Sequence, residues 1–115
     1  SFDIRIDGPE IALQEKGVSA FILALYELAT NSLKYGALSA DAGSVTIRWR
    51  ISEDDPDRFL FEWIEQGGPP VGEPKRRGFG SSIVESLTPA DLGGTATLSF
   101  EPTGVRYALD APLPA

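Results

Sequence analysis

A stripe of polar side chains at helical spacing could hold a metal–phosphate complex. Glu27, Asn31 and Lys34 are separated by four and three residues, so on a helix they stack on one face with Tyr35 beside them. A carboxylate can orient a metal, an amide oxygen can bind Mg²⁺, and an ammonium can neutralise phosphate. Asn is also a poor interior helix residue, because its side chain competes for backbone hydrogen bonds. On spacing alone, a solvated helix face remains the alternative.

Two glycine-containing blocks could shape the rest of a binding site. Glu65-Gln66-Gly67-Gly68-Pro69 follows an apolar alternating segment, so a carboxylate at a strand end precedes glycines that let the backbone approach a flat ring. That carboxylate could accept from an exocyclic amine, although a simple turn with an exposed Glu fits too. Gly78-Phe79-Gly80-Ser81-Ser82 opens a helical segment, and amides at a helix N-terminus attract anions. The chain has neither the GxxxxGK[ST] phosphate loop nor the GxGxxG dinucleotide fingerprint.

Composition excludes several other chemistries. The absence of Cys and His removes disulfides, thiolate zinc sites, catalytic triads and histidine ligands, so any metal must be a hard cation on oxygen ligands. Seventeen acidic residues against ten basic ones give a net charge of −7, which disfavours nucleic acid and anionic membranes as partners. No apolar run approaches the roughly 20 residues that span a bilayer, and we expect a cytoplasmic protein. Because the chain begins at Ser1 rather than Met, we also expect a fragment.

The elements that must position these residues fit one domain over residues 1–115, an α/β two-layer sandwich with a mixed β-sheet covered on one face by helices. The main helix is predicted from about Val18 to Tyr35, with a core line of Phe21, Leu25, Leu28 and Ser32, and ends at Gly36. The other predicted elements are a half-buried strand at 2–7, a second short strand at 11–13, a hairpin with strands at 45–51 and 59–63, a loop over 66–80, a helix at 81–87 with Ser81 or Ser82 as N-cap, and a hairpin with strands at 95–100 and 105–109.

Three blocks, in this order, resemble the catalytic ATP-binding domain of sensor histidine kinases. The stretch 24–39, ALYELATNSLKYGALS, resembles the N box of the HWE subfamily, which reads HELATNAxKYGALS. WIEQGGP at 63–69 resembles the WxExGGP form of the first glycine box, and GFGS at 78–81 resembles the second. The resemblance covers nearly the whole chain and implies the Bergerat ATP-binding fold, with ATP and Mg²⁺ as cofactors.

The resemblance also implies roles for single residues. Asn31 would hold Mg²⁺, and Glu27 would position the metal's water or polarise the reacting group. Glu65 would read adenine in the place usually held by Asp. Lys34 would meet phosphate, Tyr35 would line the nucleotide, and Ser81 would also bind it. Gly67, Gly78 and Gly80 would flank an ATP lid over about 68–80, which contains Lys75, Arg76 and Arg77.

The chain departs from the family in ways that bear on its partners. Tyr26 replaces the N-box His of the subfamily, and no phosphoacceptor His is present. The resemblance therefore implies transfer of the γ-phosphoryl group to a helical phosphoacceptor domain of the same kinase, with a response regulator downstream and a dimer possible for the intact protein. Two alternatives stay open: an anti-sigma-type serine/threonine kinase, and a degenerate interaction module that has lost ATP.

Overall fold

The computed structural model describes residues 2–70 and 79–114 and has five strands in one mixed sheet. The strand order is β1-β2-β3-β5-β4, with β1 parallel to β2 and the other neighbours antiparallel. The strands are β1 (Asp3–Asp7), β2 (Ser44–Ile51), β3 (Arg58–Gln66), β4 (Thr95–Glu101) and β5 (Gly104–Pro112). The two predicted hairpins, β2–β3 and β4–β5, are confirmed.

Helices cover one face of this sheet, as predicted for a two-layer α/β sandwich. The inward residues of β3 and β5 alternate with outward ones, so Trp63 pairs with Tyr107 and Phe61 with Leu109 on the buried side. The first helix, α1 (Val18–Tyr35), packs on this face, where the rings of Phe21 and Phe61 meet edge to face at 5.0 Å. Single 3₁₀ turns precede and follow α1 at Glu15–Gly17 and Ala37–Ser39.

α1 has the predicted bounds, but the first half of its buried line differs from the predicted core line by one residue. Ala20, Ala24, Leu28 and Ser32 are buried at intervals of four residues, whereas Phe21 and Leu25 are only partly buried. Small alanines let the helix axis approach its neighbours, and the larger side chains lie at the edge of the contact. The polar Ser32 thus occupies a core position with no exposed surface.

The second helix, α2, is longer than the predicted 81–87. It consists of α-helical Phe79–Ser82, a π-helical turn at Ile83–Leu87 and α-helical Thr88–Leu92, and ends at Gly93 with a φ of 73°. Ser81 and Ser82 therefore lie inside the helix, so their prediction as N-cap is wrong. Two buried hydroxyls anchor α2, because Thr88 Oγ1 donates to the Ala20 carbonyl at 3.0 Å and Tyr107 donates to the Val84 carbonyl at 2.6 Å.

The N-terminal region differs most from the sequence prediction. β1 forms, but all five of its residues are exposed rather than half-buried, since β1 is an edge strand and Ile4 and Ile6 line an open apolar groove beside α1. No strand forms at 11–13, which belongs to an irregular segment over residues 8–14. The indole of Trp49 holds that segment against β2 by donating to the Pro9 carbonyl at 2.7 Å. Within the described ranges, no helix is long and apolar enough to cross a membrane.

Candidate functional site

A cleft of about 250 Å³ opens where β3 leaves the sheet beside the turn between β4 and β5. Its walls come from the end of α1, the first glycine box and that turn. The lining residues are Gly36, Ala37, Glu65, Gly68, Pro69, Pro70, Phe100, Glu101, Pro102, Thr103, Gly104 and Val105. The end of the N box (24–39) and the first glycine box (63–69) therefore meet at one cavity, although about thirty residues separate Gly36 from Glu65 along the chain.

Two carboxylate residues, Glu65 and Glu101, lie on the wall of this cleft, and Glu65 is the buried one. It continues the inward line of β3 after Phe59, Phe61 and Trp63, so the alternation of the strand turns its side chain toward the helices. Only 2 % of its surface is exposed. Glu65 lies within β3 rather than in an exposed turn, so the alternative of a solvent-facing Glu is wrong.

Hydrogen bonds from Ser32, Trp63 and Ala37, all within the described residues, hold both carboxyl oxygens of Glu65. Oε1 accepts from the Ser32 hydroxyl at 3.1 Å and from the Ala37 backbone N–H at 3.0 Å. Oε2 accepts from the indole N–H of Trp63 at 2.9 Å. Burial of a carboxyl group is costly unless its oxygens are hydrogen-bonded, and these donors offset that cost.

Ser32 connects this carboxyl group to the turn after α1. Its hydroxyl oxygen accepts from the Leu38 backbone N–H at 3.1 Å while its own proton is donated to Glu65. The N-box pattern quoted above has Ala at this position, so the resemblance gave no reason to single out Ser32. The sequence feature that could have singled out Ser32 is its hydroxyl, which stands on an otherwise apolar line of the predicted helix.

The glycines of the first box serve close packing. A Cβ on Gly68 would come within 2.8 Å of the Ala37 Cα and N, and a Cβ on Gly67, whose φ is 75°, would lie 2.6 Å from the Ala42 carbonyl. Both glycines therefore let β3 end directly against residues 37–42. The predicted role of Gly67 beside an ATP lid stays a prediction.

The polar stripe of α1 forms on the helix as predicted. Asn31 and Glu27 are half-buried, whereas Lys34 and Tyr35 are exposed. Asn31 lines a second, smaller cavity together with Ser81 of α2, and Phe100 and Val105 line both cavities. The start of α2, the middle of α1 and the cleft beside Glu65 are therefore neighbours.

The donor set on this stripe fits a hard cation such as Mg²⁺. Asn31 offers an amide oxygen and Glu27 a carboxylate one turn earlier, and oxygen ligands of this kind suit Mg²⁺, which keeps waters and phosphate oxygens as its other ligands. In the part of the chain that the structure describes, no three acidic residues gather into a protein-only metal cage. A metal held by Asn31 and Glu27 would complete its coordination with waters or phosphate oxygens.

Part of the predicted site lies outside the described residues. Gly78, the cationic residues 75–77 and most of the predicted lid over 68–80 fall there. Gly80 belongs to the first turn of α2, so its backbone is helical. Ser81 follows it in the same turn and is buried.

The face of the sheet away from the helices carries an ion-pair cluster. Glu62 accepts from Arg48 at 2.8 Å and also from Arg106 on the opposite neighbouring strand. Burial of the carboxyl group acts to raise its pKa, but the hydrogen bonds and charges of Arg48 and Arg106 outweigh that and lower the pKa of Glu62.

The sequence comparisons decide the family. The chain is 40 % identical over 113 residues to the blue-light-activated histidine kinase of Brucella anthropi, a match that covers 97 % of this chain and 23 % of that protein. The Brucella ovis kinase of the same name is 38 % identical over 111 residues. The chain belongs to the catalytic domains of sensor histidine kinases. No family model matches it.

Solved structures show the fold of this catalytic domain independently. The histidine kinase domain of the Erythrobacter litoralis EL346 blue-light-activated kinase matches with a TM-score of 0.78 at 19 % identity, covering 97 % of this chain and 52 % of that one. The mycobacterial sensor histidine kinase MprB matches with a TM-score of 0.72 at 18 % identity, covering 97 % and 82 %. The domain spans about a quarter of the length of its curated relatives.

The structure of the catalytic domain also shows two residues whose contacts sequence reasoning missed. The sequence pattern places Ser32 on the core line of α1 and Trp63 in a strand and in the first glycine box, without indicating a contact of either with Glu65. Both donate hydrogen bonds to Glu65. The i, i+2 spacing of Trp63 and Glu65 on one strand face could have predicted their contact.

Proposed function

We propose that this domain binds Mg-ATP and transfers the γ-phosphoryl group to a histidine on a separate helical phosphoacceptor domain. The observation that carries the proposal is the cleft itself, at which the end of the N-box helix and the first glycine box meet with Glu65 on the wall. The kinase relatives, matched over nearly the whole chain, support the same reaction. Because ATP is its substrate, we propose that the domain works in the cytoplasm.

Glu65 is the residue proposed to recognise the adenine base. A carboxyl group on the cleft wall can accept from the 6-amino group of adenine, and the glycines of the box let the flat ring approach the backbone. Guanine carries a carbonyl at that position, which would place two acceptors against each other. We therefore expect ATP and ADP to bind in preference to GTP, and Tyr35 to line the nucleotide.

Phosphoryl transfer needs positioning and charge neutralisation more than covalent chemistry by the protein. The metal, when bound, neutralises phosphate charge. Asn31 would hold the metal through its amide oxygen, and Glu27 would position the metal's water or polarise the reacting group. Lys34, exposed at the end of α1, and Ser81, in the first described turn of α2, would contact phosphate, and the cationic residues 75–77 would add positive charge.

The acceptor must come from outside this chain, because the sequence contains no histidine. An imidazole nitrogen attacks the γ-phosphorus in line, a P–N bond forms, the bond to the bridging oxygen breaks and ADP leaves. One fold neighbour was solved as the kinase ThkA in complex with the response regulator TrrA. We propose a response regulator as the downstream partner here as well.

Calorimetric titration with ATP, with and without Mg²⁺, tests the proposal. Asn31→Ala is expected to abolish the Mg²⁺-dependent part of ATP affinity while thermal stability is kept, because Asn31 is outside the buried line of α1. Thr30→Ala is the control, since its hydroxyl donates to the Tyr26 carbonyl one turn back on the same helix. Unchanged Mg-ATP affinity in Asn31→Ala together with a loss of stability would support a structural role for Asn31 instead.

A further inference from the structure

The carboxyl group of Glu65 is restrained from two directions. The Trp63 indole reaches it along β3 and binds Oε2, while Ser32 and the Ala37 N–H reach it from the end of α1 and bind Oε1. A Glu side chain has three rotatable bonds, so a carboxyl group held at one oxygen could still turn. With donors on both oxygens, the plane of the group is fixed relative to the cleft.

The Ser32 hydroxyl both donates and accepts a hydrogen bond. Its oxygen accepts from the Leu38 N–H at 3.1 Å, and its own proton is donated to Glu65 Oε1 at 3.1 Å. Such a chain of hydrogen bonds strengthens each member in a buried setting. The orientation of Glu65 is thereby tied to residues 37–39, whose first residue also lines the cleft.

We propose that Trp63 and Ser32 are positioning residues for adenine recognition, because they hold the Glu65 carboxyl group in the one orientation from which it can accept the 6-amino hydrogen bond. The proposal rests on the proposed nucleotide-binding function. It assigns to the Trp of the first glycine box a task distinct from core packing. Neither residue needs to touch the nucleotide, since each acts through Glu65.

A role in positioning makes a different prediction from a role in stability alone. Loss of either donor lets the carboxyl group turn, so the bond to the amine weakens while contacts to the sugar, phosphates and ring are kept. Affinity for ATP should fall, and affinity for purine riboside triphosphate, which lacks the 6-amino group, should not. A purely structural role would lower both affinities together or neither.

The experiment measures both affinities by calorimetry with Mg²⁺ for the wild-type chain, Trp63→Phe and Ser32→Ala. Trp49→Phe is the control for the indole, because it removes an indole N–H bond, to the Pro9 carbonyl, at an exposed position away from the cleft. Thr88→Val is the control for a buried hydroxyl, because it removes the bond to the Ala20 carbonyl. Thermal unfolding of each variant is recorded beside the titrations.

The preference for ATP over purine riboside triphosphate is expected to fall about tenfold in Trp63→Phe and in Ser32→Ala, and to stay at the wild-type value in both controls. An unchanged preference in both variants overturns the proposal, even if they are less stable. Should Trp63→Phe fail to fold, Ser32→Ala decides alone, since Ala suits a helix interior. A wild-type chain that binds neither nucleotide overturns the proposed function itself.

Discussion

The hydroxyl of Ser32 lies 3.1 Å from Oε1 of Glu65, which joins the N-box helix to the first glycine box across 33 residues of sequence. Two of the three blocks that carry the resemblance to histidine kinases are thus joined by a hydrogen bond. The cleft opens directly beside this unit, so its shape depends on contacts that no single motif contains.

Replacing Glu65 should destabilise the fold as well as weaken nucleotide binding. Glu65→Ala leaves the buried donors of Ser32, Trp63 and Ala37 without this partner, which is expected to lower the free energy of unfolding by about 2–5 kcal/mol. Denaturant unfolding without nucleotide measures this. Gln66→Ala, one residue further along β3 and exposed, is the control and should change stability by less than about 0.5 kcal/mol. Equal stability of the two variants would show that the hydrogen bonds around Glu65 contribute little.

Much of the fold could be predicted from local patterns. α1 follows from a stretch without Gly or Pro that ends at Gly36, and β2, β3 and β5 follow from strict alternation. The exposure of β1 could not be predicted, because alternation indicates a strand but does not show whether another layer of the fold covers it. The extension of α2 through Pro89 depends on the tertiary anchors of Thr88 and Tyr107.

Single residues of the candidate site could be predicted from the sequence, but the hydrogen bonds between them could not. Glu65 stood out as a carboxyl group beside glycines, and its burial follows from the alternation after Trp63. Its bonds to Ser32 and Ala37 depend on how the end of α1 meets β3, which sequence spacing does not indicate. Gly68 must be small for the same reason, because its backbone packs directly against Ala37 after the end of α1.

Gly68→Ala should distort the cleft through a backbone clash. The added Cβ would lie 2.8 Å from Ala37 Cα and N, so residues 37–39 must move, at an expected cost of about 1–3 kcal/mol in stability and a loss of ATP affinity. Gly93→Ala is the matched control, because its Cβ meets nothing closer than 3.6 Å and only the positive φ costs energy, about 1 kcal/mol. ATP affinity equal to wild type in Gly68→Ala would contradict the placement of the cleft.

The cluster on the outer face should make stability depend on pH. The pKa of Glu62 is lowered in the folded state, so its ion pairs stabilise the fold above the ordinary pKa of 4.5 and are lost as the pH falls through the lower folded value. The stability difference between wild type and Glu62→Gln should therefore shrink as the pH is lowered from 6 to about 3. Urea unfolding across that range measures it, and a difference that grows toward low pH would contradict the assignment.

The most direct test of the account is transfer of label from γ-labelled ATP. The chain is incubated with Mg²⁺ alone, and again with a helical domain that carries the phosphoacceptor histidine of a sensor histidine kinase. We expect no label on the chain, which has no histidine, and an acid-labile, base-stable label on the helical domain that Asn31→Ala abolishes. An acid-stable label on the chain itself would indicate serine or threonine phosphorylation and contradict the account, as would an unlabelled helical domain in the presence of bound ATP.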